Sequence, residues 1–203
     1  DCVKTFCNAK FATAVNSATS ALHIACLALE LGPGDNFWTS ANTFVASANC
    51  GILAGAEVDF VDIDSRTLNM SIDCLEEKLI HAKKINKLPK VVIPVHFAGH
   101  SCDMKAIYNL SLEYGFKIIE DASHAIGGTY IDTYVGSCTY SDISVFSFHP
   151  VKIITTGEGG MALTNSKKIA EKLMQYRSHG IHSNKNIMRH RPEDEIWNYQ
   201  QVR

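Results

Sequence analysis

The chain has 203 residues, of which 46% are hydrophobic and 20% are charged, and its formal net charge is −2 at pH 7. This is ordinary globular composition, and the lack of a long run of one charge sign argues against a nucleic-acid partner. Because Asn, Asp, Glu or Lys interrupts each apolar stretch before it reaches membrane-spanning length, we also expect no membrane partner.

Short apolar strands alternate with helical patterns along the whole chain. The patterns predict strands at residues 11–15, 37–39, 58–61, 90–95, 117–120, 143–148 and 161–164. They predict helices at residues 20–31, 43–53, 73–85, 104–114 and 167–177. This alternation indicates an α/β fold, with a mainly parallel sheet covered by helices on both faces.

The termini carry no targeting feature. The chain opens at Asp1 without the apolar segment of a signal peptide, and residues 190–203 are mostly polar with no helix-ending signal. No repeat or low-complexity linker divides the sequence. We therefore expect a single domain over residues 1–203, and a fragment that is open at both ends.

The seven cysteines are scattered and never show Cys-x-x-Cys spacing. This pattern favours a reducing, cytoplasmic location without a disulfide framework. His96, His100, Cys102 and His124 could suggest zinc, but Gly99 between the first two histidines argues against a shared helix face. We expect no metal site.

In parallel α/β sheets, ligands bind at the carboxyl ends of the strands. Five polar residues of this sequence end or follow a predicted strand and are therefore expected at that edge: Asn16, Thr39, His96, Asp121 and Ser147.

Lys152 and Asp121 are the first pair of chemical interest. Lys152 follows the strand end Ser147-Phe-His-Pro-Val and precedes the glycine-rich turn Thr156-Gly-Glu-Gly-Gly160. A lysine amine can form a Schiff base with pyridoxal phosphate, and a carboxylate can pair with the pyridinium nitrogen and make the ring an electron sink. The alternative is that Lys152 is an ordinary surface lysine.

Three further motifs suit the same cofactor. The Asn16-Ser-Ala-Thr-Ser20 turn before a helix could bind phosphate, although taken alone it is better explained by ordinary helix capping. Phe44 could stack on a pyridine ring or lie in the core. His124, three residues after Asp121, places an imidazole near the carboxylate, although the aspartate could also be a helix cap.

The order and spacing of these motifs resemble the DegT/StrS-type sugar aminotransferases, which depend on pyridoxal phosphate. The resemblance covers nearly the whole chain and is carried by a series of segments: Asn16-Ser-Ala-Thr-Ser-Ala-Leu-His23, Gly32-Pro-Gly-Asp35, Thr43-Phe-Val-Ala-Ser-Ala-Asn49, Phe60-Val-Asp-Ile-Asp64, Pro94-Val-His-Phe-Ala-Gly99, Ile119-Glu-Asp-Ala-Ser-His124, Ser147-Phe-His-Pro-Val-Lys152, Thr156-Gly-Glu-Gly-Gly160 and Arg177-Ser-His-Gly180. It implies the large domain of the fold-type I, aspartate-aminotransferase-like enzymes.

The resemblance also implies residue roles. Lys152 would carry the cofactor as a Schiff base and shuttle the proton, and Asp121 would pair with the ring nitrogen. The phosphate cradle would be formed by Ala18, Thr19 and Ser20 with the Ser147 hydroxyl. Phe44 would stack on the ring, and His124 would lie near its phenolic oxygen. Substrate would contact Asn49, His149 and Glu158.

The implied activity is transfer of an amino group from an amino acid, with glutamate the expected donor, to a keto-sugar nucleotide. The Pro-Val-His-Phe-Ala-Gly and His-Pro-Val-Lys segments resemble the branch that aminates C4 of UDP-4-keto-6-deoxy-N-acetylhexosamines, as in pseudaminic acid synthesis. By comparison with that family, we expect the chain to be a fragment without the N-terminal arm and the small C-terminal domain.

The same resemblance implies a homodimer with a shared active site. Trp38, Phe44 and Phe97 are expected in loops, where exposed aromatic side chains mark partner surfaces. Two alternatives stay open: a related sugar dehydratase using the same cofactor, in which histidine replaces the lysine, and a regulatory or truncated cofactor-binding protein without activity.

Overall fold

The computed structural model describes residues 1–182, 200 and 201. Most of the polar segment 190–203 therefore lies outside the described residues. The strands are β1 (Phe11–Val15), β2 (Asn36–Ser40), β3 (Glu57–Val61), β4 (Val91–Ile93), β5 (Lys117–Asp121), β6 (Thr129–Tyr130), β7 (Thr133–Tyr134), β8 (Ile143–Ser147), β9 (Gly160–Thr164), β10 (Ile181–His182) and β11 (Gln200–Gln201). The helices are α1 (Cys2–Cys7), α2 (Ala18–Ala28), α3 (Ala46–Leu53), α4 (Ile72–Lys84), α5 (Met104–Tyr114) and α6 (Lys167–Arg177).

Seven strands form the central sheet in the order β1-β9-β8-β5-β4-β2-β3. Strands β3, β2, β4, β5 and β8 run parallel to one another, which confirms the predicted mainly parallel sheet. Strand β9 runs antiparallel to both β8 and β1. Because β9 alone is reversed, β1 points the same way as β8, and the carboxyl ends of both strands lie at one edge of the sheet.

Helices cover both faces of the sheet, as predicted. On one face, α2 and α3 pack over strand residues such as Phe37, Ile93 and Ile119. On the other face, α4 and α5 pack over Trp38 and Ile118. Successive side chains of a strand point to opposite faces of the sheet, so the apolar residues of β2 and β5 contribute to the hydrophobic cores on both faces.

Polar caps and backbone chemistry set the element boundaries. Asp103 and Ser166 cap α5 and α6 with side-chain hydrogen bonds, and both helices have the predicted bounds. Strand β4 ends at residue 93, earlier than predicted, since Pro94 has no N–H to continue the ladder.

The sequence analysis did not predict four short features, namely α1, the 3₁₀ turn Phe97–Gly99, the β6–β7 hairpin and the β10–β11 pair. The helix predicted over 43–53 begins only at residue 46. Residues 43–45 therefore form a loop that leads from β2 to α3.

All seven cysteines lie within the described residues and carry free thiols. In the described part of the chain, no helix combines the length and the apolar character needed to cross a membrane.

Candidate active site

A cavity of about 410 Å³ opens at the carboxyl edge of the sheet. It lies where β1, β4, β5 and β8 end and where the turn before β9 begins. Most of the residues predicted for the site line it together: Ala18, Thr19, Phe44, Asp121, His124, Ser147, His149, Lys152 and Glu158.

Asp121 is buried at the end of β5 and faces the cavity, with an exposed fraction of 5%. Ser47 Oγ donates to Asp121 Oδ2 at 2.6 Å, and the amide and hydroxyl of Ser123 donate to Oδ1 at 3.1 and 2.6 Å. An ionised carboxylate only accepts hydrogen bonds, and each oxygen offers two lone pairs. Asp121 is thus held rigidly and can still accept one more donor from the cavity.

Lys152 lies in the loop between β8 and β9, and its amine meets His124. The Lys152 Nζ to His124 Nε2 distance is 2.6 Å. A lysine ammonium has no acceptor, so Nζ donates and the neutral imidazole accepts. Burial lowers the pKa of Lys152, opposed by the charge of Asp121. Burial and the charge of Lys152 lower the pKa of His124, again opposed by Asp121.

The N-terminus of α2 forms another wall of the cavity. Ser17 caps the helix by accepting the Ser20 amide, and the first helical residues, Ala18 and Thr19, line the cavity. Amides of a first helical turn have no intrahelical partner and favour anions. The Ser147 side chain lines the same cavity from the end of β8.

Gly160 explains how this wall is held in place. It pairs with Val15 and Ser147 at the start of β9. A Cβ atom at residue 160 would lie 2.2 Å from the carbonyl carbon of Ser17. Glycine is therefore required there for the backbone to pass directly beneath the start of α2.

The outer rim carries Phe44, His149 and Glu158. Phe44 is 73% exposed beside the cavity, consistent with a loop position. His149 Nε2 and Glu158 Oε1 are 3.8 Å apart, and both side chains are largely open to solvent. Trp38, by contrast, is 3% exposed within β2, so its predicted place in an exposed loop is wrong.

Several predicted polar residues do not reach the cavity. The Ser20 hydroxyl turns away and donates to Asn16 at 2.7 Å. Asn49 is exposed on α3 and lines no part of the cavity. The Thr39 hydroxyl donates to the Ile93 carbonyl inside the sheet.

The sequence analysis missed Ser47 and Ser123, which hold Asp121, and it assigned no role to His96, which lines the cavity. Ser123 lies in the Asp-Ala-Ser-His motif and could have been found as a local hydroxyl two residues after Asp121. Ser47 contacts Asp121 across 74 residues of sequence, and no local pattern marks that contact.

These groups fit pyridoxal phosphate. A helix N-terminus and a hydroxyl suit the phosphate, a buried carboxylate suits the ring nitrogen, and a partly buried amine suits the aldehyde. All of them face one cavity of about 410 Å³, large enough for a small cofactor with room for substrate.

Comparison with known proteins agrees with this geometry. The model of the DegT/DnrJ/EryC1/StrS aminotransferase family matches residues 2–194. The chain belongs to the DegT/DnrJ/EryC1/StrS aminotransferase family. Relatives of this family member include the spore coat polysaccharide biosynthesis protein SpsC of Bacillus subtilis, 42% identical over 87% of the chain and 43% of SpsC. An uncharacterized protein of Methanocaldococcus jannaschii is 39% identical over 88% of the chain and 44% of its own length.

Solved structures of the family share the fold. The chain matches a DegT/DnrJ/EryC1/StrS aminotransferase from Brucella abortus with a TM-score of 0.83 and 30% identity, over 88% of this chain and 48% of that one. It matches Helicobacter pylori PseC, an aminotransferase involved in the biosynthesis of pseudaminic acid, with a TM-score of 0.82 and 29% identity, over 100% of this chain and 50% of PseC. The chain thus spans about half the length of the relatives it matches.

Proposed function

We propose that this chain is the cofactor-binding large domain of a pyridoxal-phosphate-dependent aminotransferase acting on a keto-sugar nucleotide. The observation that carries the proposal is the meeting of Lys152, Asp121 and the N-terminus of α2 at one cavity. Membership of an aminotransferase family supports it. Neither the dehydratase alternative nor the non-catalytic alternative gains support from these relatives.

Pyridoxal phosphate, when bound, supplies an electron sink that stabilises negative charge on the substrate carbon. Lys152 would hold the cofactor covalently, and its amine would take and return the substrate proton. Asp121, fixed by Ser47 and Ser123, would keep a proton on the ring nitrogen. These are the proposed catalytic residues.

The chain's other residues would bind and orient the cofactor. The amides of Ala18 and Thr19 and the hydroxyl of Ser147 would hold the phosphate at the start of α2. Phe44 would cover one face of the ring, for which its position on the cavity rim is suited. His124 would orient the Lys152 amine, with which it already shares a hydrogen bond.

For the substrates, we propose glutamate as amino donor and a keto-sugar nucleotide as acceptor. His149 and Glu158 line the mouth of the cavity and would contact the sugar. Likeness to PseC and to the polysaccharide protein SpsC supports a sugar acceptor, and we favour amination at C4 of a UDP-linked deoxy-N-acetylhexosamine. Asn49 lies outside the cavity, which weakens its predicted substrate role.

We further propose a homodimer in which two chains share each site. Exposed apolar side chains surround the cavity: Phe44 is 73% exposed and Val151 is 77% exposed. Such a surface suits burial against a second copy.

The match to only half of each relative supports our expectation of a small C-terminal domain in the complete protein. The free thiols support a cytoplasmic location.

The test uses the complete protein mixed with pyridoxal phosphate. We expect a visible absorbance band from lysine-bound cofactor, bleached by glutamate and restored by keto-sugar nucleotide. Lys152→Ala should abolish the band and the activity, whereas Lys168→Ala, at an exposed lysine of α6, should change neither. A band that persists in Lys152→Ala would overturn the proposal.

A further inference from the structure

His96, which lines the cavity, pairs with the buried carboxylate of Glu120 behind it, and this pair has no place in the proposed chemistry. The His96 side chain is fully buried and that of Glu120 is 6% exposed. His96 Nε2 and Glu120 Oε2 are 2.9 Å apart, and Ser141 Oγ donates to the other carboxylate oxygen. Glu120 is next to Asp121 in β5, so the two carboxylates point to opposite faces of the sheet.

The second nitrogen of His96 defines the state of the ring. The backbone amide of Cys102 donates to His96 Nδ1 at 3.2 Å. Burial opposes charge on the ring, yet the hydrogen bonds and charges of Cys102 and Glu120 raise the pKa of His96 to about 10, which favours a charged imidazole. The Cys102 amide points at Nδ1, however, and a nitrogen that accepts a hydrogen bond cannot carry a proton, so we follow the geometry and assign the neutral form protonated on Nε2. Nε2 therefore donates to Glu120, and His96 joins the sheet to the far end of the turn at residues 97–101.

That turn has an unusual backbone that needs support. Ala98 has φ 51° and Gly99 has φ +88°, so two successive residues adopt left-handed conformations. The Asn69 side chain accepts the Phe97 amide and donates to the His100 carbonyl, which supports the turn from outside. His96 supports it from inside.

Gly99 is the residue of this turn that packs against His124. A Cβ atom on Gly99 would lie 2.7 Å from the His124 carbonyl oxygen, so the turn packs directly on the backbone of His124. The His124 imidazole is the group that contacts the Lys152 amine. A continuous line of contacts therefore runs from Glu120 through His96 and the turn to His124 and Lys152.

We propose that His96 is a positioning residue that, held by Glu120, closes the turn at 97–101 and so keeps the His124 imidazole on the Lys152 amine. The proposal rests on the proposed function only for its kinetic consequence. Its structural part concerns the protein without cofactor.

Two substitutions of His96 distinguish the effect of its hydrogen bond to the turn from the effect of its hydrogen bond to Glu120. Asn can place its Oδ1 atom where Nδ1 stands and still accept the Cys102 amide, whereas Leu accepts nothing. Both variants leave Glu120 without its imidazole donor, so only the contact to the turn differs between them. Thr164→Val is the control for stability, because it removes a buried hydrogen bond to the Asp142 carbonyl at the opposite edge of the sheet.

The first readout is the ¹⁵N spectrum of histidine-labelled protein without cofactor, with His124 assigned through His124→Gln. We expect His96→Leu to move the His124 ring signals toward those of a free imidazole, whereas His96→Asn and Thr164→Val leave them close to wild type. The wild-type spectrum should show His96 as the neutral Nε2–H form between about pH 6 and 8, and a protonated ring would overturn the proposal without any variant.

The second readout is steady-state kinetics of the complete protein. His96→Leu should lower kcat by about 10- to 100-fold, the scale for a small misplacement of a reacting group, with a much smaller change in KM. His96→Asn should restore most of kcat. Equal losses of kcat in His96→Leu and His96→Asn would overturn the positioning role. Unchanged His124 ring signals in His96→Leu would overturn it as well. If the His124 signals move as expected but neither the wild-type protein nor any variant transfers amino groups, the proposed function fails and the positioning role stands.

Discussion

Replacing Asp121 with Asn removes one negative charge from the cavity and leaves the shape of the side chain unchanged. The Asn oxygen can still accept from Ser123, and its NH₂ group can donate to Ser47, because the Ser47–Thr43 hydroxyl pair can reverse its direction. A hydrogen bond to a charged group contributes about 1.5–3 kcal/mol and a neutral one about 0.5–1.5 kcal/mol. We expect the fold to lose on the order of 1–2 kcal/mol, or roughly 2–8 °C in Tm.

The chemistry should suffer far more than the fold. An amide cannot keep the ring nitrogen protonated as a carboxylate can, so the electron sink weakens. We expect conversion of the bound cofactor by glutamate, followed by absorbance in the complete protein, to slow by on the order of 100-fold or more, the scale for one well-placed electrostatic group.

Asp142→Asn provides a matched control. Asp142 accepts the Ile118 amide at 2.9 Å and the Lys117 amine at 3.0 Å at the opposite edge of the sheet. The Asp142→Asn substitution should lower Tm to a similar extent and leave the rate of cofactor conversion close to that of the wild type. An Asp121→Asn rate within about threefold of wild type, well below the expected electrostatic loss, would refute the assignment of Asp121 to the ring nitrogen.

Three further outcomes follow from the site. Ser47→Ala removes a donor 2.6 Å from Asp121 and should slow the same conversion by about tenfold, the low end for a hydrogen bond to a charged group; an unchanged rate would show that Ser123 suffices. Gly160→Ala would press a Cβ against the capping residue of α2 and should abolish cofactor affinity measured by titration, whereas Gly32→Ala, with its nearest neighbour at 3.9 Å, should bind normally. Burial lowers the pKa of Lys152, so cofactor capture by the apoprotein should rise with pH with a midpoint below 10.5; a midpoint at or above that value contradicts the burial argument.

The sequence predicted the residues that its local motifs carry. Asp121 and Ser147 end strands β5 and β8, and Lys152 follows β8. Parallel strands bring their carboxyl ends to one edge of the sheet, so the meeting of these residues follows from topology. Asn49, whose substrate role was implied by the resemblance alone, does not line the cavity, and its place on α3 gives the reason. With about 100° of rotation per helical residue, Ser47 faces Asp121 and Asn49, two positions later, faces solvent.

Long-range features could not be predicted from local pattern. The reversal of β9 is set by the loop at residues 148–159, which contains no helix to carry the chain back for a parallel crossover. The Ser47 contact spans 74 residues, and the His96–Glu120 pair spans 24. Such contacts depend on packing that only the assembled sheet defines.

The pairing of β1 with β9 has a consequence for the order in which the site forms. Phe11 pairs with Thr164, and among the described strands β1 has no other neighbour in the sheet. A chain emerging from the ribosome would therefore hold β1 unpaired, and the start of α2 without its close contact to Gly160, until β9 had been made. Because so distant a pairing forms late, the phosphate binding that we propose for α2 would be among the last properties the nascent chain acquires. Cofactor capture would thus report completion of the whole sheet rather than of any one motif.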